Sequence, residues 1–231
     1  DIDLAIDSTT LFPAGITTKS MQQWNIKPDE FVLRFDQFKK RARSSTDEQI
    51  AMKTALVLIS EYVNEHAPTI HMEPKKVQPG NAFGMFSQYD EQGNNLNVGV
   101  QIDWMVGHLE WLQFSYASDD YGETSNVKGL HRTQLILAMF QATGYSFNHV
   151  KGVTDKATGD IIATNPAEAL ALLNKLFSMT LTPKQVANYH TLHNAINGHQ
   201  LYDQVMRVYL KILDSTRTDI PDDLQEYWIA H

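Results

Sequence analysis

Between Asp103 and Arg132 the chain gathers Asp103, His108, Glu110, Asp119, Asp120, Glu123, His131 and Arg132. Carboxylates beside imidazoles can ligate a cation or divide acid and base roles between them. The spacing fits no metal template. Asp119-Asp120-Tyr121-Gly122-Glu123 lacks the alternating oxygen ligands of a calcium loop, and His-Glu-x-x-His occurs nowhere in the chain. No metal and no cofactor is therefore expected. If the segment is catalytic, Asp103, His108, Glu110 and His131 are the acid–base candidates of a hydrolase or transferase working at the edge of a sheet. If it binds, its contact residues are Asp119, Asp120, Glu123 and Arg132, joined by Asn97 and Gln101 from the preceding strand. Arg132 falls in the first turn of an expected helix, where backbone N–H groups favour an anion. A partner can supply that anion, or the loop's own carboxylates can, in which case residues 118–128 are a solvated connection.

Two further clusters read more plainly. His190 and His193 share a helix face with His199 close behind, but His193 falls seven residues after Val186, inside an apolar stripe. That position marks a packing histidine rather than a ligand. Arg34, Lys39, Lys40, Arg41 and Arg43 concentrate positive charge on one stretch, with Phe31, Phe35 and Phe38 turned the other way. No aromatic platform is interleaved on the exposed side, so nucleic acid is not an expected partner. Gly129-Leu130-His131-Arg132-Thr133, ahead of an apolar helix ending at Gly144-Tyr145, resembles the Gly-Asn-Lys-Arg-Thr stretch of Fic/Doc proteins. Leu130 stands where that family has Asn, and the family's upstream His-Pro-Phe is missing, so the resemblance carries no activity to this chain. A phosphate loop, a dinucleotide glycine fingerprint and a Gly-x-Ser-x-Gly elbow are all missing.

The elements that must position these residues start with Asn95–Trp104. Leu96, Val98, Val100, Ile102 and Trp104 alternate with Asn95, Asn97, Gly99, Gln101 and Asp103. Period-two alternation predicts a strand with an apolar core side and an open polar side. Ala82–Tyr89 precedes it across Asp90-Glu91-Gln92-Gly93-Asn94, a hairpin turn. Trp111–Ala117 alternates too and is expected as another strand, with a further one near Thr69–Val77. Helices are expected from Pro28, from a Ser45/Glu48 capping box to about Asn64, and over Leu130–Thr143, stopped by Gly144. The second is apolar around much of its circumference and therefore central. A small hairpin is expected at Thr154–Ile162. Asn165-Pro166 and Thr182-Pro183 each open a helix, Asn197-Gly198 ends the second of these, a third follows, and Pro221 opens a short last one.

The expected fold is thus α+β: a three- or four-stranded antiparallel sheet over about residues 69–118, packed by helices on one face, with an all-helical C-terminal third. The expected division is an extended arm over 1–26, with one short strand near Ile2–Ile6, an α+β region over 27–163 and a helical subdomain over 164–231 packed on it, the whole forming a single globular unit.

With 231 residues and no cysteine, the chain can bury a substantial core without disulfides and has no thiolate chemistry. Its net charge of −8 disfavours general binding to nucleic acid or anionic membrane. No apolar run is long enough to span a membrane. The start at Asp1 without Met is what a removed leader or a trimmed terminus gives, and exported and cytoplasmic locations both stay open. Two functions compete. One is a protein-binding or assembly module docking through the open sheet face and the acidic loop 118–128. The other is the hydrolase or transferase above, which requires at least three of its four acid–base candidates to converge in one pocket.

Overall fold

The first half of the chain runs through β1 (Ile2–Asp7), α1 (Ser8–Leu11), α2 (Thr18–Gln22), α3 (Pro28–Arg41), α4 (Asp47–His66), β2 (Ile70–Met72), β3 (Asn81–Tyr89) and β4 (Asn95–Gly107). The second half adds α5 (Leu109–Tyr116), α6 (Leu130–Ala142), β5 (Tyr145–Asn148), β6 (Gly152–Asp155), β7 (Ile161–Ala163), α7 (Pro166–Phe177), α8 (Pro183–Val186), α9 (Tyr189–Ile196) and α10 (Tyr202–Thr216). The structure, a computed structural model, describes residues 2–42, 45–117 and 129–225. The fold is α+β, and the chain divides into two compact units, Asp1–Leu109 and Glu110–His231.

In the first unit the strands lie in the order β1-β4-β3-β2. β3 and β4 form the expected hairpin, and β2 adds to β3 antiparallel. The sheet is nevertheless mixed, which corrects the purely antiparallel expectation. β1 joins β4 in parallel, from Ile2 opposite Ile102 to Asp7 opposite Gly107. A parallel pair needs a long crossover, and the helices α1 to α4 lie within it. The N-terminal 26 residues are more than an arm. β1 falls where a strand was expected, but α1 and α2 follow, and Phe12, Met21 and Ile26 pack against Ala55 and Leu58 of α4.

α4 is central, as its all-round apolar sequence implies. Its other side lays Leu56 and Val57 on the sheet residues Met72, Ala82 and Val106. The buried Thr54 and Ser60 hydroxyls donate to the carbonyls of Ile50 and Leu56, each at 2.7 Å, so the helix carries polar groups into its core without leaving them unsatisfied. Its capping box is Thr46 with Gln49, one residue later than Ser45 with Glu48.

The second unit is built around α6, where Leu135, Ile136, Ala138, Met139 and Phe140 are all fully buried. A single core cluster among the described residues joins Trp111 of α5, the buried face of α6, and residues as far on as Leu224. The expected strand Trp111–Ala117 is a helix, α5. A short apolar run without Gly or Pro fits either period, and packing decides. Trp111, Leu112 and Ser115 are its buried residues, a helical spacing. β6 and β7 form the hairpin expected at Thr154–Ile162, with β5 added as a third strand. Gly152 makes this possible: at φ +92°, a Cβ there would stand 2.1 Å from the Ala163 carbonyl oxygen. Asn165 and Thr182 cap α7 and α8 as expected. The single helix expected after Thr182 is two, because Asn188 leaves helical geometry and caps α9 through Thr191 N–H at 3.1 Å.

Candidate functional site

The sheet of the first unit is covered unevenly. Met105 and Val106 at the inner end of β4 are buried, Val100 and Ile102 are half-buried, and Leu96 and Val98 are 50% and 54% exposed. The expectation that Leu96 and Val98 belong to the core is corrected. The hairpin is longer than the ground covered by α4, whose sheet contacts fall at Met72, Ala82 and Val106. The strand also deforms here. Ser87 opposes Gly99 and Tyr89 opposes Asn95, so Leu96, Asn97 and Val98 together face the single residue Gln88. Asn97 takes a left-handed conformation at φ +55°, and its N–H bonds the Asn95 side chain at 2.8 Å. Such a bulge bends a strand and re-aims its side chains. β1 reaches only as far as Ile102, so β4 over residues 95–101 has β3 as its strand neighbour among the described residues.

The tip beyond this bulge is well held. The Asp90 carboxylate accepts from Gln92 N–H at 3.0 Å, from Asn94 N–H at 2.7 Å and from the Asn94 amide at 2.9 Å. The Asn94 side chain, followed by its backbone N–H, keeps the Asp90 carboxyl below the usual carboxylate range. Leu96 and Val98 are exposed at this end of the hairpin, and Met85 and Tyr89 are exposed there too, on the side that Met85 shares with its partner Gln101 rather than on the side of Val98 and Val100.

The residues singled out from sequence distribute as follows. Asn97 and Gln101 lie on this outer half, and Gln101 donates to Asp103 at 2.9 Å. Asp103 sits on the open side with Asp3 as its cross-strand neighbour. His108 is exposed just beyond β4. Its charge adds slightly to the lowering of the Asp7 carboxyl, which comes chiefly from the Thr9 hydroxyl and then the Thr9 N–H. Asp119, Asp120 and Glu123 lie outside the described residues. In the second unit Glu110 is exposed in the first turn of α5. His131 is buried and shares a 2.7 Å hydrogen bond with the Tyr209 hydroxyl.

His193 is buried, stacks on Tyr189 and shares a 2.7 Å hydrogen bond with the Tyr202 hydroxyl. His199 accepts from Leu201 N–H at its Nδ1, so its Nε2 carries the proton and donates to the Phe177 carbonyl at 2.8 Å. In the basic stretch Arg34 bonds both oxygens of Glu61 and Lys39 bonds Asp47, while Arg43 lies outside the described residues.

Arg132 is 2% exposed. Its Nε donates to the Val186 carbonyl at 2.6 Å, its Nη1 donates to the Phe114 carbonyl, and the guanidinium lies over the Phe114 ring. It forms part of the wall of a cleft of about 650 Å³. One side of this cleft is the α5 face of Glu110, Gln113, Phe114 and Ala117. The other sides come from Ala167, Leu170 and Ala171 of α7 and from Pro183, Val186 and Ala187. His131 is not among its lining residues, so Glu110 and His131 do not meet there. Sequence reading missed this cleft. The available signal was alanine at residues 167 and 171 of α7, which leaves room where larger side chains would close the space.

Compared with family models, with curated proteins and with solved structures, the chain matches none. Among the described residues, no three His, Asp or Glu side chains gather as a cation site, and no helix is long and apolar enough to cross a membrane.

Proposed function

We propose that the protein is a protein-binding module and that the outer half of the β3–β4 hairpin is its contact surface. The observation that carries this reading is the exposure of the near neighbours Leu96 and Val98, beyond the reach of α4, on a hairpin whose turn is held by Asp90. Apolar side chains concentrated in one exposed place mark interaction sites, whereas scattered ones need no explanation. A turn already held in shape lowers the ordering cost of binding. Asn97 and Gln101, on the same outer half, supply polar contacts at the rim, the usual division of labour in an interface. The bulge also breaks the regular edge along which sheets aggregate, so the surface suits recognition by side chains.

The test is comparative affinity purification from the native source. Baits are the wild-type chain, a Leu96→Asp/Val98→Asp variant and an Ile161→Asp control; Ile161 is equally exposed, on β7. A partner held by wild type and control but lost from the hairpin variant, at unchanged melting temperature, supports the reading. Identical sets of co-purifying proteins from all three baits overturn it.

A further inference from the structure

We propose that the cleft of the second unit binds a small apolar amine, with the hydrocarbon body between Phe114, Leu170 and Val186 and the ammonium at the Glu110 carboxylate. A cleft of about 650 Å³ lies within the range that encloses small-molecule ligands. Its walls are mostly apolar, and Ala167 and Ala171 keep the α7 side open. What remains is to ask which polar lining groups have bonding capacity to offer a ligand.

Asn174 is committed: its amide donates to the Leu181 carbonyl at 3.1 Å and accepts from Leu181 N–H at 2.6 Å. Arg132 gives Nε and Nη1 to two backbone carbonyls and stacks on Phe114, which makes it part of the wall. Glu110 and Gln113 differ. They stand one turn apart on α5, both are exposed, and neither side chain has a hydrogen bond or ion pair among the described residues. An ionised carboxylate only accepts, and the Gln113 amide offers a further acceptor oxygen. The complementary head group is therefore a cationic donor on an apolar body. The chain's net charge of −8 also enriches cations near its surface. An acid of the same skeleton would bring its carboxylate against Glu110. This inference stands apart from the hairpin reading, since every residue it uses belongs to the second unit.

The experiment titrates the full chain with phenylbutylamine, phenylbutanol and phenylbutanoate, following the methyl resonances of Ala117, Ala167, Ala171 and Ala187, which line the cleft. The amine is expected to saturate these shifts and to bind about two- to fivefold more tightly than the alcohol, the range for a charge pair open to solvent. The acid is expected to bind more weakly than the alcohol. Glu110→Gln should bring amine and alcohol to the same affinity, and Ala171→Trp, an exposed position filled by a large ring, should remove the shifts for all three. The proposal is overturned if the acid binds as well as the amine, if Glu110→Gln leaves the preference intact, if Ala171→Trp leaves the shifts in place, or if wild type shows no saturable shift at these alanines.

Discussion

At its inner end the β3–β4 hairpin lays Ala82 and Val106 against Leu56 and Val57 of α4; at its outer end Leu96 and Val98 stand in solvent. Both ends belong to one hairpin and one alternating pattern. They differ in what lies over them and in regularity. The inner end keeps strict register with β1 on one side and β3 on the other. The outer end has lost β1, gained a bulge and turned Asn97 left-handed. Alternation thus reports an extended backbone with two distinguishable sides. Whether the apolar side is covered depends on how far the helix reaches, and the part left uncovered is the part available for binding.

A charge scan along β4 is the strongest way to break this comparison. Val106→Asp puts a carboxylate where the native side chain is 1% exposed, and the expected loss is about 4 kcal/mol. Val100→Asp, at a half-buried position, should cost about 1 to 2 kcal/mol. Val98→Asp should stay within about 0.5 kcal/mol, as should Gln101→Asp on the open side. Denaturant midpoints at equal slope measure the series. If Val98→Asp destabilised as much as Val106→Asp, the outer end would have to be covered in solution.

A glycine pair on the same hairpin sharpens the contrast. A Cβ at Gly84 would stand 2.7 Å from Met72 Sδ, 3.0 Å from the Trp104 ring and 3.1 Å from the His71 carbonyl oxygen. Gly84→Ala should therefore cost about 2 kcal/mol through forced repacking. At Gly99 the tightest neighbour, at 2.9 Å, is the terminal methyl of the exposed Met85, which can swing away, leaving the Phe86 carbonyl oxygen at 3.1 Å. Gly99→Ala should cost about 1 kcal/mol or less. Equal losses at the two positions would show that the outer end packs as tightly as the inner. The smallest expected effect is that of Asp90→Ala, which frees the turn. Amide exchange should quicken at Gln92 and Asn94 with little change in overall melting, because these bonds lie within an exposed loop.

Signals that act over a few residues were legible in the sequence. Asn165 and the Thr182/Gln185 pair cap the helices they were expected to cap, Gly144 follows the end of α6 at φ +92°, and the turn at Asp90–Asn94 closes the hairpin. The all-round apolar surface of α4 announced a central helix, and core layers do lie on both of its sides. The candidate sites were less legible. Asn97 and Gln101 sit on the proposed contact surface, but Leu96 and Val98 were assigned to the core, and the cleft was not anticipated at all. Glu110 and Arg132, named for other roles, both line that cleft.

The sequence by itself determined where several helices begin, among them those capped by Asn165 and Thr182, which strand carries two unlike sides, and that the chain has no cysteine thiol. Those properties follow from backbone preferences and from side chains reaching neighbours within a turn or two. Only the tertiary structure decided the rest. Residues 2 and 102 must meet before β1 becomes a parallel strand. α5 must pack Trp111, Leu112 and Ser115 before a short apolar run becomes a helix and not a strand. α4 must reach its end before Leu96 and Val98 become surface. Burial is a property of what covers a residue, and at these positions the covering element comes from far along the chain, where no local pattern records it.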